Sequence, residues 1–199
     1  MRPQEQALCC VATRSYLPGV IAFYRSVLEH QDLPLVLMAA DCDPEETAPL
    51  KQEICDFLPA HAHAFLRVVS PVDIYGGSAR QMRYYYDAFE FSTACKSAIL
   101  AWMERNTTFD RWLYVDSDML CFASLSLLFA QLDAQSILLT PHRTGAGSAL
   151  AENLVLLGAG AFNAGVIGIR RSPTSHAFTA WYLDVLSLHC VNDPPVPWA

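Results

Sequence analysis

The stretch Trp112-Leu113-Tyr114-Val115-Asp116-Ser117-Asp118 decides the fold. Its first four residues are a short continuous apolar run, the pattern of a strand buried on both faces. Two aspartates follow at i and i+2, where that strand should end. Residues two apart on a strand point to the same side, so both carboxylates can converge. Strands buried on both faces belong to sheets covered by helices on both sides, and such sheets bind ligands beyond the carboxyl ends of their strands.

Similar runs flank it. Ala7 to Thr13, Leu35 to Ala40, Phe65 to Val69, Ser136 to Thr140 and Val166 to Ile169 read as five further strands. Helical patterns separate them. Pro18-Gly19 opens one that runs to Glu29, with Val20, Phe23, Tyr24, Val27 and Leu28 on one face. Others cover Glu45 to Leu58, Glu90 to Arg105 with a start near Asp87, Leu125 to Leu132, and His176 to His189. The alternation predicts an α/β fold with a mostly parallel sheet and helices on both faces. A length of 199 residues makes residues 1–199 a single domain. No internal repeat or low-complexity segment interrupts it. His142 to Gly160 reads as a long loop rich in small residues, and Asp193 to Ala199 as a proline-rich tail.

Composition narrows the function. Hydrophobic residues are 53% and charged residues 17%, which excludes a disordered chain. A net charge of −7 argues against nucleic-acid binding, which needs basic clusters to neutralise phosphates. The longest apolar runs, Leu35 to Ala40 and Ala98 to Met103, fall far short of the ~20 residues of a transmembrane segment. The N-terminal run Ala7 to Ala12 is too short for a secretory signal. The expectation is a soluble cytoplasmic protein. The seven cysteines include no C-x-x-C pair and sit mostly in apolar segments, so they read as small hydrophobes, not zinc ligands or disulfides. His61-Ala62-His63 has no third ligand nearby and reads as a solvated loop.

Two aspartates offer hard oxygen ligands that suit Mg²⁺ or Mn²⁺, and such a cation suits a diphosphate. The pattern alone is weak. Twelve aspartates in the chain give about 0.7 D-x-D pairs by chance. Asp41-Cys42-Asp43 is a second instance, also after a buried strand. Either pair can instead be a loop start that caps the next helix.

Context favours the 116/118 pair. Val115-Asp116-Ser117-Asp118-Met119-Leu120, followed by Leu125 to Phe129, resembles the D-x-D region of GT-A-fold glycosyltransferases. Phe162-Asn163-Ala164-Gly165-Val166-Ile167-Gly168 resembles the F-N-A-G element of family 8-like members. Ala12-Thr13, Tyr16 and Gly19 are similar to their first strand and nucleotide-facing loop, and Ser92 to Met103 to their central helix, with Lys96 at its basic position. The order and spacing agree over residues 7 to 190. The resemblance implies a GT-A (nucleotide-diphospho-sugar transferase) fold. It also implies transfer of a sugar, with retention at the anomeric carbon, from a nucleotide-sugar donor, UDP-linked. Asp118 would bind the metal, Mn²⁺ or Mg²⁺. Asp116 would bind the metal or a ribose hydroxyl, with Ser117 beside the donor. Thr13 and Tyr16 would meet the nucleoside, and Lys96 would place a point charge near the diphosphate. Asn163 and Ala164 would meet the sugar, with Gly165 allowing close backbone approach. His142, just past a strand, would lie at the same sheet edge as a further candidate contact. No catalytic residue is assigned, and the acceptor is open among a glycan, a lipid-linked molecule and a protein.

Three alternatives stand beside it. Gly158-Ala159-Gly160-Ala161-Phe162-Asn163 begins like a dinucleotide fingerprint, but a predicted strand follows where a helix is needed. Asp116-Ser117-Asp118 also resembles the D-x-D-x-T of haloacid-dehalogenase-type phosphatases, but Leu120 replaces the threonine and no lysine follows Lys96. A truncated or degenerate domain that binds nucleotide-sugar without transferring it is the non-enzyme alternative. The family adds a third metal ligand, often a histidine, after the F-N-A-G element and its helix. Only His176 and His189 follow Gly165, both in the predicted helix, so the chain is expected to be C-terminally truncated and a poor catalyst alone.

Overall fold

The computed structural model of the chain describes residues 5–145, 156 and 160–191. Among the described residues, six strands form one sheet in the order β3-β2-β1-β4-β6-β5. They are β1 (Gln6–Ala12), β2 (Leu35–Ala39), β3 (Leu66–Val69), β4 (Arg111–Val115), β5 (Ile137–Pro141) and β6 (Phe162–Arg170). The helices among the described residues include α1 (Leu17–Leu28), α2 (Thr47–Cys55), α3 (Val72–Tyr75), α4 (Ser78–Tyr85), α5 (Ala88–Asn106), α6 (Ser126–Gln131) and α7 (Pro173–His189). The pairs β1–β2, β2–β3 and β1–β4 are parallel, whereas β6 runs antiparallel to both its neighbours.

The sheet is buried on both faces, which is why its strands carry apolar residues at consecutive positions. Along β1, Leu8, Cys10 and Ala12 pack with Val20, Phe23 and Val27 of α1 and Leu50 and Ile54 of α2. Ala7, Cys9 and Val11 point the other way, into Ala94, Ala98, Ile99 and Trp102 of α5. α7 then lies on α5, burying Ser175 and Thr179. All seven cysteines are free thiols, six of them buried. Among the described residues no helix is long and apolar enough to cross a membrane.

Several expected elements change shape. The helix expected over Glu45 to Leu58 is a 3-10 turn, Pro44–Glu46, leading into α2. His61 and His63 sit in the 3-10 turn Ala60–Ala64 and not in an open loop; His61 Nε2 lies 3.2 Å from Asp32 and His63 Nε2 3.1 Å from the Leu58 carbonyl. The last strand starts four residues earlier than expected, at Phe162. Of the expected loop and tail, residues 146–155, 157–159 and 192–199 lie outside the described residues.

α5 starts where its capping signal stands. Asp87 Oδ1 accepts from the Glu90 amide at 2.8 Å, and Glu90 Oε2 accepts from the Asp87 amide at 3.0 Å. Two otherwise orphaned donors are satisfied reciprocally. Asp87→Ala is expected to lower stability by about 1 kcal/mol. Urea unfolding checks this, and an unchanged midpoint at constant slope would count against the cap.

Candidate functional site

β4 ends at Val115, and the Asp116 amide donates to the Gly165 carbonyl of β6 at 2.9 Å. Because β6 runs antiparallel to β4, it is the first residues of β6 that stand beside the last residues of β4. The two motifs, distant in sequence, therefore share one sheet edge.

Asp116 is held firmly. Lys96, from α5, places Nζ 2.8 Å from Oδ1 and 3.1 Å from Oδ2. The Tyr114 hydroxyl donates to Oδ1 at 2.5 Å. Tyr114 lies two residues earlier on the same strand and is fully buried. Burial first, and then the Asp116 charge, hold its phenol well above the ordinary tyrosine range, so it stays protonated as a donor. The Lys96 ammonium also stands 5.5 Å from the Tyr114 ring centre. Asp118 is different. It is exposed, and its carboxylate has no partner among the described residues.

Ser117 is buried between the two, and its carbonyl faces α1 at Gly19. A β-carbon on Gly19 would stand 2.9 Å from that oxygen, so the helix can approach the loop this closely only with glycine there. Gly165 makes a second close approach. A β-carbon on it would meet Asn163 Oδ1 at 2.7 Å, Met119 Cε at 3.0 Å and Asp116 Oδ2 at 3.3 Å. The Gly165 amide donates to Asn163 Oδ1 at 2.6 Å. Gly165 thus makes room for the Asn163 and Asp116 side chains. Asn163 has its carbonyl oxygen committed and its amide NH₂ left for a ligand.

The opposite wall comes from the loop after β1. Thr13 and Ser15 share a hydroxyl hydrogen bond of 2.8 Å, and Tyr16 is exposed at the end of the 3-10 turn Arg14–Tyr16. Asp41 pins this loop, its two oxygens accepting from the Arg14 amide at 3.1 and 3.0 Å. Asp43 closes a capping box with Glu46 and takes a salt bridge from Arg83 at 3.0 Å. The second D-x-D pair is therefore occupied by loop and helix-start contacts.

Thr13, Tyr16, Lys96, Asp116, Ser117, Asp118, His142, Asn163 and Ala164 all line one cavity of about 590 Å³, together with Tyr114, Phe89 and Phe162. A larger groove of about 1050 Å³ beside α1 contains neither Asp116, Asp118 nor Lys96. His142 Nδ1 lies 2.8 Å from the Gly160 carbonyl. A carbonyl only accepts, so Nδ1 carries the proton and Nε2 is left toward a ligand. Lys96, expected near a diphosphate, pairs with Asp116 in this ligand-free structure. Tyr114 was not among the expected site residues; its signal is a tyrosine two positions before an aspartate at a strand end.

The donor set suits a hard divalent cation in kind, with two carboxylates at one edge. A side-chain cation already occupies one of them, which marks the spot as one where positive charge is stable. Among the described residues no group of three histidines, cysteines or acids stands close enough to hold a metal, so protein ligands alone do not complete a coordination shell.

No protein-family model and no curated protein matches the sequence. Solved structures do. The glycosyltransferase GlyE of Streptococcus pneumoniae TIGR4 superimposes with a TM-score of 0.54 at 18% identity, over 96% of this chain and 41% of GlyE. The galactosyltransferase LgtC, in complex with donor and acceptor sugar analogues, gives 0.54 at 16% identity, over 87% of this chain and 59% of LgtC. Core-mannan synthase A of Aspergillus fumigatus, in a Mn/GDP form, gives 0.51 at 8% identity, over 95% of this chain and 66% of that one. The chain has the GT-A fold. It spans less than two thirds of the length of each of these three proteins. Within the GT-A frame, the 590 Å³ cavity lies beyond the carboxyl ends of β1 and β4, where open α/β sheets take their ligands.

Proposed function

We propose that this chain carries the donor-binding site of a metal-assisted glycosyltransferase that takes a nucleotide-diphosphate sugar, UDP-linked. One observation carries this: residues from β1 and the loop after it, from α5, from β4 and the turn after it, and from β6 line a single cavity at one sheet edge. Tyr16 offers an exposed ring face to a base, and the Thr13 and Ser15 hydroxyls stand beside it. Asp116 and Asp118 would hold Mn²⁺ or Mg²⁺, with the donor diphosphate and water filling the remaining positions. A bound cation supplies Lewis-acid stabilisation of the departing diphosphate. The Asn163 amide would meet the sugar, and His142 lines the same cavity. Transfer to an acceptor needs positioning groups in addition to this donor wall. Binding of nucleotide-sugar without transfer is the second reading. The phosphatase alternative is disfavoured because Leu120, at its threonine position, lines the other groove.

A thermal-shift screen tests the proposal. UDP or a UDP-sugar with Mn²⁺ is expected to raise Tm by roughly 5–10 °C at a hundredfold excess over Kd. GDP, CDP and NAD are expected to do less; GDP is the sharpest comparison because core-mannan synthase A was solved with Mn and GDP. No shift with any nucleoside diphosphate, or a preference for NAD, overturns it. Turnover of a UDP-sugar with Mn²⁺ then separates the transferase from the binding module.

A further inference from the structure

Asp116 has an ammonium and a phenol hydroxyl as partners before any ligand arrives. Lys96 Nζ bridges both its oxygens at 2.8 and 3.1 Å, and the Tyr114 hydroxyl takes Oδ1 as well. The Lys96 and Asp116 side chains are only 19% and 30% exposed, so water screens this pair weakly. Asp118, two residues on, has no such partner. The three charged groups sum to one negative charge. A divalent cation added alone would have to share Asp116 with an ammonium, and the two cations would repel. A diphosphate added alone would meet two carboxylates. A divalent cation and the doubly charged diphosphate of a nucleotide-sugar added together leave the net charge unchanged, and Lys96 exchanges one oxygen-rich anion for another.

We propose that Lys96 is a positioning residue that acts as a placeholder cation on Asp116 and transfers to the donor diphosphate when the divalent cation takes the carboxylate. This rests on the donor reading above and adds a coupling to it: cation and diphosphate each bind weakly alone and tightly together. Tyr114 keeps Asp116 oriented during the exchange, since its hydrogen bond does not depend on Lys96. The coupling is reciprocal, as binding free energies require.

Free Mn²⁺ measured by electron paramagnetic resonance tests it on the 199-residue chain. In the wild type, Mn²⁺ alone is expected to bind weakly, and UDP to tighten it about 5- to 150-fold, the usual span of coupled sites. In Lys96→Met, which keeps the aliphatic stem without the charge, Mn²⁺ alone is expected to bind about tenfold tighter than to the wild type, while the enhancement by UDP shrinks. Lys96→Arg is expected to restore the wild-type pattern. A merely structural role predicts the reverse, since damage to the site weakens Mn²⁺ binding. If Lys96→Met does not fold, as judged by circular dichroism, Lys96→Gln carries the same comparison. Mn²⁺ binding unchanged or weakened in the neutral variant overturns the proposal, as does the absence of Mn²⁺ binding in both proteins. Failure of the donor reading looks different: Mn²⁺ tightens in Lys96→Met, but no nucleoside diphosphate binds either protein.

Discussion

Asp118→Asn is expected to remove the divalent-cation dependence of nucleotide binding and to weaken UDP affinity in Mn²⁺ on the order of 100-fold or more, beyond the 10–100-fold that outer-shell partners of a metal usually carry. The reason is its isolation. Asp118 is exposed with no partner among the described residues, so the substitution breaks no contact among them. Folding should therefore be untouched, and unfolding curves should superimpose on those of the wild type. Asp41→Asn is the matched control. It sits in the other D-x-D pair, but both its oxygens hold the Arg14 amide, and asparagine keeps one of those acceptors. The expected loss of UDP affinity there is about tenfold or less. Isothermal titration with and without EDTA measures both variants. Equal losses, or binding indifferent to EDTA, would defeat the assignment of the metal to the 116/118 pair.

Gly19→Ala has the second large effect, and two opposing contributions decide its sign. Within α1 alanine is the better helix former, by about 0.5–1 kcal/mol. Against it, the new β-carbon would lie 2.9 Å from the Ser117 carbonyl oxygen, which is backbone and has no rotamer to escape into. Forcing an extra methyl into a close-packed contact costs about 1–3 kcal/mol. The clash wins, and a net destabilisation of about 1–2 kcal/mol is expected. The yielding element is the turn that carries both carboxylates, so coupled binding of cation and UDP should fall further than stability does. Urea denaturation reads the first quantity and titration the second. A Gly19→Ala protein clearly more stable than the wild type would mean that α1 and the 116–118 loop are not in contact in solution.

The strands were legible because each is an unbroken apolar run between polar ends, as in Leu35–Ala39 and Trp112 to Val115. α5 was legible to within a residue of its start because Asp87 and Glu90 form a capping box. The direction of β6 was not legible. A strand buried on both faces has the same pattern whichever way it runs, and its orientation is set by pairing with β4. α3 and α4 escaped notice for a related reason. α4 buries only Ala79 and Met82, so no apolar stripe marks it, and α3 is a single turn. At the site, the two aspartates and Asn163 stood out as polar residues after apolar runs. Tyr114 did not, because a tyrosine inside such a run reads as core until its hydroxyl is seen to meet Asp116. The partner of Lys96 was beyond reach, since it is the packing of α5 on the sheet that brings positions 96 and 116 together.

The arrangement of β1 and β4 carries a consequence for how the protein folds. These neighbours in the sheet, with Gln6 opposite Arg111, lie more than half the chain apart. The walls of the cavity come from the loop after β1, from α5, from β4 and from β6, so no early local unit contains more than a fragment of it. Pairing of this kind requires closure of long loops before any contact repays it, which makes it a slow step in assembly. The site is thus complete only once distant parts of the chain have met, and a ligand bound there would hold the whole sheet closed, not just one loop.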